Sequence, residues 1–584
     1  MRFIIFDFEV FKYDTLLGAI VLEKGHKPQL YQLWDLENIK KFYWENRYNI
    51  WVGHNNSHYD NFILQAVINN RNPYEVSKLI IENNIKPRLN IQLYYYDLMS
   101  WHMGSLKVLE AQMGKNISES EVDFDIDRPL KTEEKLESES YNRDDLDQTL
   151  TDFKLCKNEI QLRFEMMKEF GLDYSTLRIT ENQIAERVLK PNRIHGIEEL
   201  VIHPQLYPQL KIKNQKMIDY FLYKEWQHTP KMILNICGVD HTIAKGGIHA
   251  ARECYHTDWA YYFDVSGYYN LIMINYDLLP RTLSEEGKAK YKQMYKEQLR
   301  LKKINPVKRV VYKKICLAVY GAELNEYTNF YDPEKGRQVT LTGEIFLVDL
   351  LEKLEGKVEL IQSNTDGIIA KPLENISEQE LIDIINEWQT RTGFTLKLDK
   401  IYDIHQRDVN NYMYRDDKGN IHVKGEIVKY YNLWDNPFLE DSYNTTTPYI
   451  IHHCIVEYWM NGRKPEEIIE ENKRNLRMFQ WICKPGSFDY LSFETKDQVI
   501  KCKQKVNRVF ASKTPGQLYK NDSTRHNLYQ NLPSKIFIYN QEILSEESIN
   551  NLVDKIDYDY YVKRAYERIY EFRKEHEQLS LFEE

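Results

Sequence analysis

The sequence has few cysteines, and none of the seven stands in a Cys-x-x-Cys pair. Scattered cysteines argue against a disulfide framework and against a zinc site, so a reducing compartment is expected. No apolar run approaches the ~20 residues that a membrane-spanning helix requires. The first ten residues lack a basic segment and are interrupted by Asp7 and Glu9, so no signal peptide is predicted. These absences predict a soluble protein that stays inside the cell.

The chain also lacks an excess of positive charge, with 78 Lys and Arg against 88 Asp and Glu and a formal net charge of -10. Any binding of nucleic acid must therefore use local basic patches, because the overall charge repels phosphate. No repeat and no long linker rich in Pro, Gly or Ser divides the sequence. With 584 residues and 42% hydrophobic content, the chain is expected to form several domains with substantial cores.

Two stretches near the start of the chain have the pattern of buried strands, Phe3 to Val10 and Ile50 to Val52. The pattern from Asp144 to Met167 predicts one long helix. Together they indicate a mixed α/β region that is long enough for a domain of its own.

A second α/β region is indicated further along the chain. A strand from Trp259 to Val265 passes into an apolar, helical stretch from Tyr268 to Ile274. Two more strands, Val358 to Ile361 and Ile368 to Ala370, flank a turn from Ser363 to Gly367. We expect these strands to belong to one sheet.

The segment between these strands favours helix. Its two helical stretches, Lys288 to Ile304 and Val307 to Tyr320, are separated by Asn305-Pro306. Asparagine at an N-cap followed by proline at the first helical position is a start signal, so the sequence predicts a helical hairpin.

Acidic residues in the first region have a spacing that suits metal binding. Asp7 and Glu9 lie two residues apart in a strand, which puts both on one face of the sheet. Asp60 and Asp145 follow, and four acids around two hard cations suit phosphodiester hydrolysis. One ion would lower the pKa of the attacking water and the other would stabilise the leaving oxygen. Tyr141, one helical turn before Asp145, would orient the water.

Two further acids, Asp264 and Asp366, lie in the second α/β region. Asp264 closes a strand just before a helix start, whose backbone N–H groups suit a metal-bound triphosphate. Asp366 stands at the tip of a turn, for which an ordinary Asp-Gly hairpin turn is the alternative interpretation.

The second helix of the predicted hairpin carries cations. Arg309, Lys313 and Tyr320 recur at helical spacing, with Cys316 or Leu317 between them, so two cations and an aromatic ring share one face. A basic helix is more often a solvated face, but its position between two candidate metal ligands argues against that interpretation.

The acids of the first region, in their order, resemble the three exonuclease motifs of the DEDDy proofreading nucleases. The matching residues are Asp7, Glu9, Asp60, Tyr141 and Asp145. In the second motif either Asn55 or Asn56 fits the spacing of the supporting asparagine, which contacts DNA. The resemblance implies an RNase H-like 3′–5′ exonuclease that uses the four acids as metal ligands.

The second region resembles a family B DNA polymerase of the bacteriophage type. Asp264 to Tyr269 is similar to motif A, Lys313 to Gly321 to motif B, and Ser363 to Gly367 to motif C. The resemblance implies that Asp264 and Asp366 are the catalytic metal ligands.

The same resemblance implies roles for the residues around these acids. Arg309 and Lys313 would bind the incoming nucleotide. Tyr320 would pack beside the nascent base pair, and Tyr269 would block the ribose 2′-OH. The implied DNA contacts are Gly246 and Gly247, in a segment similar to Tyr-x-Gly-Gly, and Asn410 and Tyr412, which stand where the family has Lys-x-Tyr.

The sequence departs from the family pattern at four positions, Leu317, Ala318, Asn364 and Asn410. Two-metal catalysis needs at least two placed carboxylates, and Asp264 with Asp366 still provides them, so activity is expected to survive. The short separations between the motifs leave little room for the insertions of protein-primed relatives, so protein priming is not expected.

The implied fold is an α/β multidomain protein, with an RNase H-like exonuclease followed by a right-hand polymerase of palm, fingers and thumb. The expected domains are the exonuclease at 1–165, a connecting region at 166–240, the first palm part at 241–287, the fingers at 288–321, the second palm part at 322–435 and the thumb with the tail at 436–584. Seven cations would form a basic strip on the thumb for duplex phosphate: Lys501, Lys503, Lys505, Arg508, Lys513, Lys520 and Arg525.

The implied function is DNA-directed DNA synthesis with 3′–5′ proofreading and two Mg²⁺ or Mn²⁺ ions at each site. The expected partners of the chain, as a monomer in the cytoplasm of a bacterial host, are primer-template DNA and dNTPs. The alternatives are an exonuclease whose polymerase half has decayed, as the motif departures suggest, and a non-catalytic DNA-binding replication factor.

The last residues resemble the peptide with which bacterial replication proteins bind the sliding clamp. Its anchors would be Gln578, Leu579, Leu581 and Phe582. The alternative is that these side chains pack on the preceding helix, Tyr560 to His576.

Overall fold

The computed structural model describes residues 2–101, 104–117, 119–196, 206–223, 231–244, 246–427 and 447–573. Within these ranges the chain forms two compact units. The first unit comprises residues 2–178, 447–457 and 463–566, and the second comprises 179–427, 458–462 and 567–573. The exonuclease-like and thumb ranges of the sequence thus fall largely in one unit, while the predicted domain boundaries stay predictions.

The first unit begins with a five-stranded sheet. Its strands are β1 (Phe3–Val10), β2 (Thr15–Leu22), β3 (Gln29–Leu33), β4 (Ile50–Gly53) and β5 (Tyr94–Asp97). The strand order is β3-β2-β1-β4-β5, with β1 antiparallel to β2 and parallel to β4. Both predicted strands are confirmed, and the second is one residue longer than expected.

Helices cover both faces of this sheet. They are α1 (Leu36–Asn46), α2 (Asp60–Ile68), α3 (Pro73–Ile81), α4 (Leu106–Gln112), α5 (Thr132–Leu155) and α6 (Lys157–Phe170). Alternation along β1 sends Phe6 into one core and Ile5 into a second core that includes Leu146 of α5. Because side chains of a strand alternate between faces, Asp7 and Glu9 lie on the side that α5 covers.

The helix predicted from Asp144 to Met167 is wrong as a single element. The structure ends α5 at Leu155 and begins α6 at Lys157, with the fully buried Cys156 between them at a ψ of 0°. The bend lets side chains on both sides of Cys156 pack into the same core. Local helix propensity does not register this tertiary constraint.

The second unit is organised by a nine-stranded sheet. Its strands are β6 (Lys231–Ile236), β7 (Val239–Ala244), β8 (Gly247–Ala251), β9 (Tyr255–Val265), β10 (Val358–Asn364), β11 (Gly367–Pro372), β12 (Leu396–Gln406), β13 (Tyr412–Arg415) and β14 (Ile421–Lys424). Their order is β14-β13-β12-β9-β11-β10-β8-β7-β6. The prediction that the strands around Asp264 and Asp366 share one sheet is confirmed, because β11 pairs with both β9 and β10.

Seven helices lie within the described residues of this unit. They are α7 (Glu181–Leu189), α8 (Gln215–Leu222), α9 (Tyr268–Asn275), α10 (Glu285–Leu301), α11 (Pro306–Glu323), α12 (Pro333–Leu354) and α13 (Glu378–Thr392). The predicted hairpin is confirmed as α10 and α11, and the Asn305 side chain accepts a hydrogen bond from Lys308 N at 3.0 Å. On α11 Leu317 is exposed whereas Cys316 is buried, so Leu317 continues the face of Lys313.

From residue 447 to residue 573 the described chain adds seven short strands and four helices. They are β15 (Trp481–Cys483), β16 (Tyr490–Glu494), β17 (Val499–Lys501), β18 (Asn507–Ala511), β19 (Gln517–Asn521), β20 (His526–Leu528), β21 (Ile536–Ile538), α14 (Tyr449–Asn461), α15 (Pro465–Asn472), α16 (Glu546–Leu552) and α17 (Tyr558–Tyr570). The strands form a three-stranded sheet, β15-β18-β21, and a four-stranded sheet, β17-β16-β19-β20. Both sheets belong to the first unit.

Arg508 does not lie on a basic surface strip, which corrects that part of the sequence interpretation. Its side chain is fully buried in the first unit. The guanidinium donates to Gln480 Oε1 at 2.7 Å, to Gln541 O at 2.7 Å and to Lys115 O at 2.9 Å. These oxygens come from separate parts of the sequence, so Arg508 ties the β-rich segment to the loop after α4.

No helix of the described residues is long and apolar enough to cross a membrane. All seven cysteines are free. The three single-turn helices of the described chain are Leu98–Ser100, Tyr174–Arg178 and Leu476–Phe479.

The buried guanidinium predicts a large stability effect at Arg508. Replacing it in Arg508→Met removes the donor and leaves several buried oxygens without a partner, so we expect a loss of at least about 3 kcal/mol. Lys503→Met, at a side chain that is 86% exposed, is the matched control and is expected to change little. Thermal unfolding of the full chain measures the stability of both variants. Equal melting temperatures of Arg508→Met and Lys503→Met would contradict the conclusion that the buried Arg508 joins these segments.

Candidate active sites

Three carboxylates of the first unit converge where β1 faces α5. Oxygen atoms of Asp7, Glu9 and Asp145 all lie within 4.8 Å of one another. Asp7 and Glu9 are two residues apart on β1, and Asp145 projects from the side of α5 that covers the sheet. Three of the four acids that the sequence predicts to share a metal site are thus close together, while their role as metal ligands stays a prediction. In the described part of the chain no other group of three or more Asp, Glu, His or Cys side chains is gathered in this way.

Burial and mutual repulsion make this cluster costly without a cation. Burial raises the pKa of Asp7 well above its ordinary value, and the charges of Asp60 and Glu9 raise it further. The pKa of Glu9 is raised in the same way, first by burial and then by the charge of Asp145. Carboxylate oxygens are preferred ligands of Mg²⁺ and Mn²⁺, and a divalent cation would relieve the repulsion. The donor set therefore fits a hard divalent ion.

Asp60, the fourth predicted acid, lies beside this group rather than within it. It begins α2, and its Oδ1 accepts a hydrogen bond from Phe8 N at 3.1 Å. Burial raises the pKa of Asp60. The bond joins its carboxylate to β1 at the residue between Asp7 and Glu9.

Lys107 of α4 is a member of the site that sequence reasoning missed. Its Nζ lies 2.7 Å from Asp145 Oδ1 and 3.1 Å from Glu110 Oε2. The same Nζ lies 4.5 Å from the centroid of the Tyr141 ring. A positive charge therefore stands beside one predicted metal ligand and beside the residue predicted to orient water. Nothing in its sequence spacing distinguishes Lys107 from the other lysines.

The Tyr141 hydroxyl is suited to donate a hydrogen bond. Burial raises the pKa of Tyr141, and the charges of Asp145 and Glu9 raise it further, so the phenol stays protonated. Asn142, the next residue of α5, donates from Nδ2 to Asp7 Oδ2 at 2.9 Å. This second contact ties the helix to the strand at the site.

The loop before Asp60 is organised by Asp97 at the end of β5, another residue that sequence reasoning missed. Asp97 Oδ1 accepts from Asn55 N at 2.8 Å, and its Oδ2 accepts from Ser57 N at 3.1 Å. Asn56 is fully buried, whereas Asn55 is half-buried. Of the two asparagines considered for DNA contact, only Asn55 presents its side chain to solvent.

Asp264 and Asp366 come together where the central strands β9 and β11 of the nine-stranded sheet meet the turn between β10 and β11. Asp264 stands opposite Gly367 in the pairing of β9 with β11, and Val265 N donates to Asp366 O at 2.9 Å. Loss of hydration raises the pKa of Asp366, and the charge of Asp264 raises it further. Burial also raises the pKa of Asp264, while Lys397 on β12 opposes this shift. The two carboxylates act on each other electrostatically, and oxygen donors of this type suit the same kind of divalent ion.

The Asn364 side chain, at the end of β10, is held by His249 of β8. His249 Nδ1 and Asn364 Oδ1 are 2.8 Å apart, and the two residues are opposite each other in the pairing of β8 with β10. Thr365 has a left-handed φ of 48°. Gly247 has a φ of 139°, and a Cβ there would lie 3.1 Å from Thr365 Oγ1. The segment with Gly246 and Gly247 therefore packs against the turn that carries Asp366.

Tyr269 and Tyr320 face each other between α9 and α11. Their ring centroids are 4.3 Å apart and their planes differ by 11°, so the rings are stacked. The neighbouring Tyr268 is buried and donates from its hydroxyl to Gly343 O at 2.6 Å. Tyr269 rather than Tyr268 therefore presents its ring beside the hairpin helix.

Two buried acids that sequence reasoning did not single out lie near this stack. Glu323 and Glu344 are almost inaccessible, and their carboxyl oxygens have no hydrogen-bond partner among the described residues. Burial raises the pKa of Glu344 to about 8, and it raises the pKa of Glu323 well above its ordinary value. Burial raises the pKa of Tyr320, and the charges of both acids raise it further.

The remaining predicted contacts are placed as follows. Lys313 is exposed on α11 and Arg309 is half-buried one turn earlier. Asn410 is exposed in the loop after β12, whereas Tyr412 is packed in the sheet core with Ile404. Gly246 is exposed beside β8. The four clamp-peptide residues Gln578, Leu579, Leu581 and Phe582 lie outside the described residues.

No known family model matches this sequence, and no curated protein matches it. Among solved structures, the chain is similar to the family B DNA polymerase from the hyperthermophilic archaeon Pyrobaculum calidifontis. That similarity has 13% sequence identity and a TM-score of 0.43, and it covers 98% of this chain and 78% of the archaeal one.

Glu344 predicts a pH-dependent stability. Its ordinary pKa of 4.5 is raised to about 8 in the folded protein, so the folded state holds a proton that the unfolded state has released. The carboxyl therefore destabilises the fold progressively as pH rises from 4.5 to 8, by at most about 5 kcal/mol.

We expect Glu344→Gln to raise the melting temperature at pH 9 and to leave it nearly unchanged at pH 5. Glu374→Gln, at an exposed position of the same unit, is the control. A gain in stability that is equal at both pH values would contradict the assignment.

Proposed function

We propose that the chain is a DNA-directed DNA polymerase with a 3′–5′ proofreading exonuclease. The observation that supports this most is the presence of two separate carboxylate sites, one in each compact unit. One consists of Asp7, Glu9 and Asp145, and the other consists of Asp264 and Asp366. Two separate sites, one in each unit, are better explained by two reactions on one polymer than by a single reaction.

In the proposed polymerase site Asp264 and Asp366 would hold two Mg²⁺ or Mn²⁺ ions. Such ions, when bound, supply activation of the primer 3′-OH and stabilisation of the leaving pyrophosphate. Lys313, exposed on α11, would bind the triphosphate as a point charge, with Arg309 one turn away. The stacked Tyr269 and Tyr320 would form the wall against which the sugar and the nascent base pair pack.

In the proposed exonuclease site Asp7, Glu9, Asp60 and Asp145 would hold two divalent ions. When bound, these ions supply an activated water and stabilise the leaving oxygen. The Tyr141 hydroxyl would orient that water by donating a hydrogen bond. Lys107 would offset negative charge that develops on the scissile phosphate.

The setting is proposed from the sequence resemblance. The partners would be primer-template DNA, dNTPs and the sliding clamp of a bacterial host, which the tail from Gln578 would bind. The protein would replicate phage DNA as a monomer in the bacterial cytoplasm. Asn410 and Gly246, which are exposed, and the half-buried Asn55 would contact DNA, whereas Tyr412 is buried in the sheet core and would only support the strand beside Asn410.

A second candidate function is a 3′–5′ exonuclease whose polymerase half has decayed. The motif departures at Leu317, Ala318 and Asn364 favour it. The hydrogen bond between His249 and Asn364 argues against it, because this bond supports the turn that carries Asp366 although Asn364 is neutral. Extension of a recessed primer with labelled dNTPs separates the two functions.

The separate sites predict separable activities. Asp264→Asn or Asp366→Asn is expected to reduce nucleotide addition at least about a hundredfold, because each removes a metal ligand, while degradation of a 3′ end is kept. Asp7→Ala with Glu9→Ala is expected to do the reverse. Lys107→Ala should lower degradation without lowering extension.

Extension and degradation are measured on the same recessed primer, with and without dNTPs. Asp417→Asn, at an exposed acid of the second unit, is the matched control. Wild-type extension by Asp264→Asn would overturn the polymerase assignment. Joint loss of both activities in Asp7→Ala with Glu9→Ala would mean one shared site or a misfolded chain.

Tyr269 is expected to select the sugar of the nucleotide. Tyr269→Ala should admit ribonucleotides, because removal of the ring opens the space that a 2′-OH needs. The change is measured as the ratio of kcat/KM for dNTP and NTP. Tyr268→Phe, which removes only the hydroxyl bonded to Gly343, is the control. Unchanged discrimination in Tyr269→Ala would place the selection elsewhere.

His249 is expected to act as a positioning residue for the turn that carries Asp366. His249→Ala removes the donor to Asn364, so kcat for extension should fall about tenfold with little change in the KM for dNTP. His249→Asn retains an N–H at the same place and should restore most of kcat. Equal activities of the two variants would show that the bond does not position the turn.

A further inference from the structure

A surface of the first unit outside both carboxylate sites carries aromatic and cationic side chains. It is one face of the sheet β17-β16-β19-β20, and the pairing puts Ser492 opposite both Lys501 and Tyr519. In the adjacent row Asn521 is opposite Tyr490 and His526. We call the four larger side chains Tyr490, Lys501, Tyr519 and His526 the aromatic face.

The rings and cations of the aromatic face are paired with each other. Tyr519 and His526 are stacked, with centroids 4.5 Å apart and planes 6° apart. Lys501 Nζ lies 4.3 Å from the centroid of the Tyr490 ring. Lys501 and His526 are exposed, and both tyrosines are partly exposed.

Short polar side chains hold the base of this surface. Asn521 Nδ2 donates to Ser492 Oγ at 2.8 Å, and both residues are buried beneath their larger neighbours. The opposite face of the sheet is core, where Leu491 and Leu518 are each 1% exposed. The aromatic face is therefore the outward side of a well-anchored sheet.

The charge around this sheet differs from that of the whole chain. Between Trp481 and Asn540 the sequence has ten Lys or Arg, of which Arg508 is buried, against four Asp or Glu, whereas the whole chain has a net charge of -10. Cross-strand aromatic pairs by themselves usually stabilise a sheet. Exposed rings in a locally basic segment have, in addition, the charge that complements a polyanion.

We propose that the aromatic face binds single-stranded DNA, with unpaired bases stacked on Tyr519 and Tyr490 and with Lys501 at the phosphates. Only a single strand can offer base faces to protein rings, since those of a duplex are stacked on each other. This inference rests on the proposed function for the choice of DNA as the polymer. It concerns a surface that neither carboxylate site includes.

The position of the sheet suits a strand that is to be degraded. The loop after β17 contacts the exonuclease-like part of the same unit, where Lys505 N donates to Glu119 Oε1 at 3.2 Å. A 3′ end must be single-stranded before a nuclease site of this kind can take it. A strand held on the aromatic face would therefore be held by the unit that carries Asp7, Glu9 and Asp145.

The test uses the full chain with Asp7→Ala and Glu9→Ala, so that the probe is not degraded. The probes are fluorescein-labelled oligothymidylate and a duplex of equal length, followed by fluorescence anisotropy. Tyr490→Ala with Tyr519→Ala should weaken binding of the single strand at least about fivefold, because that is the smallest loss of affinity expected when one base no longer stacks on a ring. The same double variant should leave duplex binding unchanged. Lys501→Ala should reduce the salt dependence of single-strand binding.

Three further variants control for folding and for nonspecific effects. Tyr519→Phe keeps the ring and should bind normally, whereas Tyr519→Leu keeps an apolar side chain without a ring and should not. Tyr48→Ala removes an exposed tyrosine elsewhere on the first unit and should have no effect. Melting temperatures of all variants show whether any loss of binding reflects unfolding.

Photocrosslinking with 5-iodouracil in the oligonucleotide then locates the contact. Crosslinks to Tyr490, Tyr519 or His526 are expected. Crosslinks confined to other segments, or equal losses for single strand and duplex, would overturn the proposal. If these binding tests fail while primer extension is normal, the proposed function stands and only this inference is lost. If primer extension is absent while single-strand binding depends on the two tyrosines, the proposed polymerase function is lost and the aromatic face remains a site for single-stranded DNA.

Discussion

Bringing carboxylates together inside a protein costs free energy, and both candidate sites are arranged around that constraint. Asp7, Glu9 and Asp145 are within 4.8 Å of one another in a buried setting, which raises the pKa of the first two. Strand alternation and the position of α5 impose the arrangement, and Lys107 and Asn142 contribute polar contacts to it. A fold tolerates such repulsion where a cation is to be bound, which is the physical reason to associate the cluster with metal-dependent chemistry.

The second site meets the same constraint with fewer charges. Asp264 lies on β9, Asp366 lies in the turn between β10 and β11, and the neutral Asn364 stands two residues before Asp366. Its amide oxygen is held by His249, whereas an aspartate there would add repulsion close to Asp366. A neutral hydrogen bond from β8 therefore supports the turn without adding a charge beside Asp366.

Sequence reasoning succeeded where the signal is local and failed where it depends on distant residues. The hairpin of α10 and α11 was predictable because Asn305 and Pro306 determine a helix start through their own backbone chemistry. The break at Cys156 was not predictable, since packing against a sheet imposes it on residues with good helix propensity. Arg508 was assigned to a surface strip for the same reason, because a basic side chain is usually solvated and its buried oxygen partners are remote in the chain.

The sequence by itself determined the strands that carry the acids, the shared face of Asp7 and Glu9, and the helical hairpin, because a period of two or 3.6 residues is a property of neighbouring positions. Only the tertiary structure decided that Lys107 joins the first site, that Asp60 stands beside it and that His249 holds Asn364. It also placed near Tyr320 two acids, Glu323 and Glu344, that have no hydrogen-bond partner among the described residues. These are contacts between residues far apart in the chain. Whether such contacts form depends on how sheets and helices pack, and the spacing of residues along the sequence does not determine that packing.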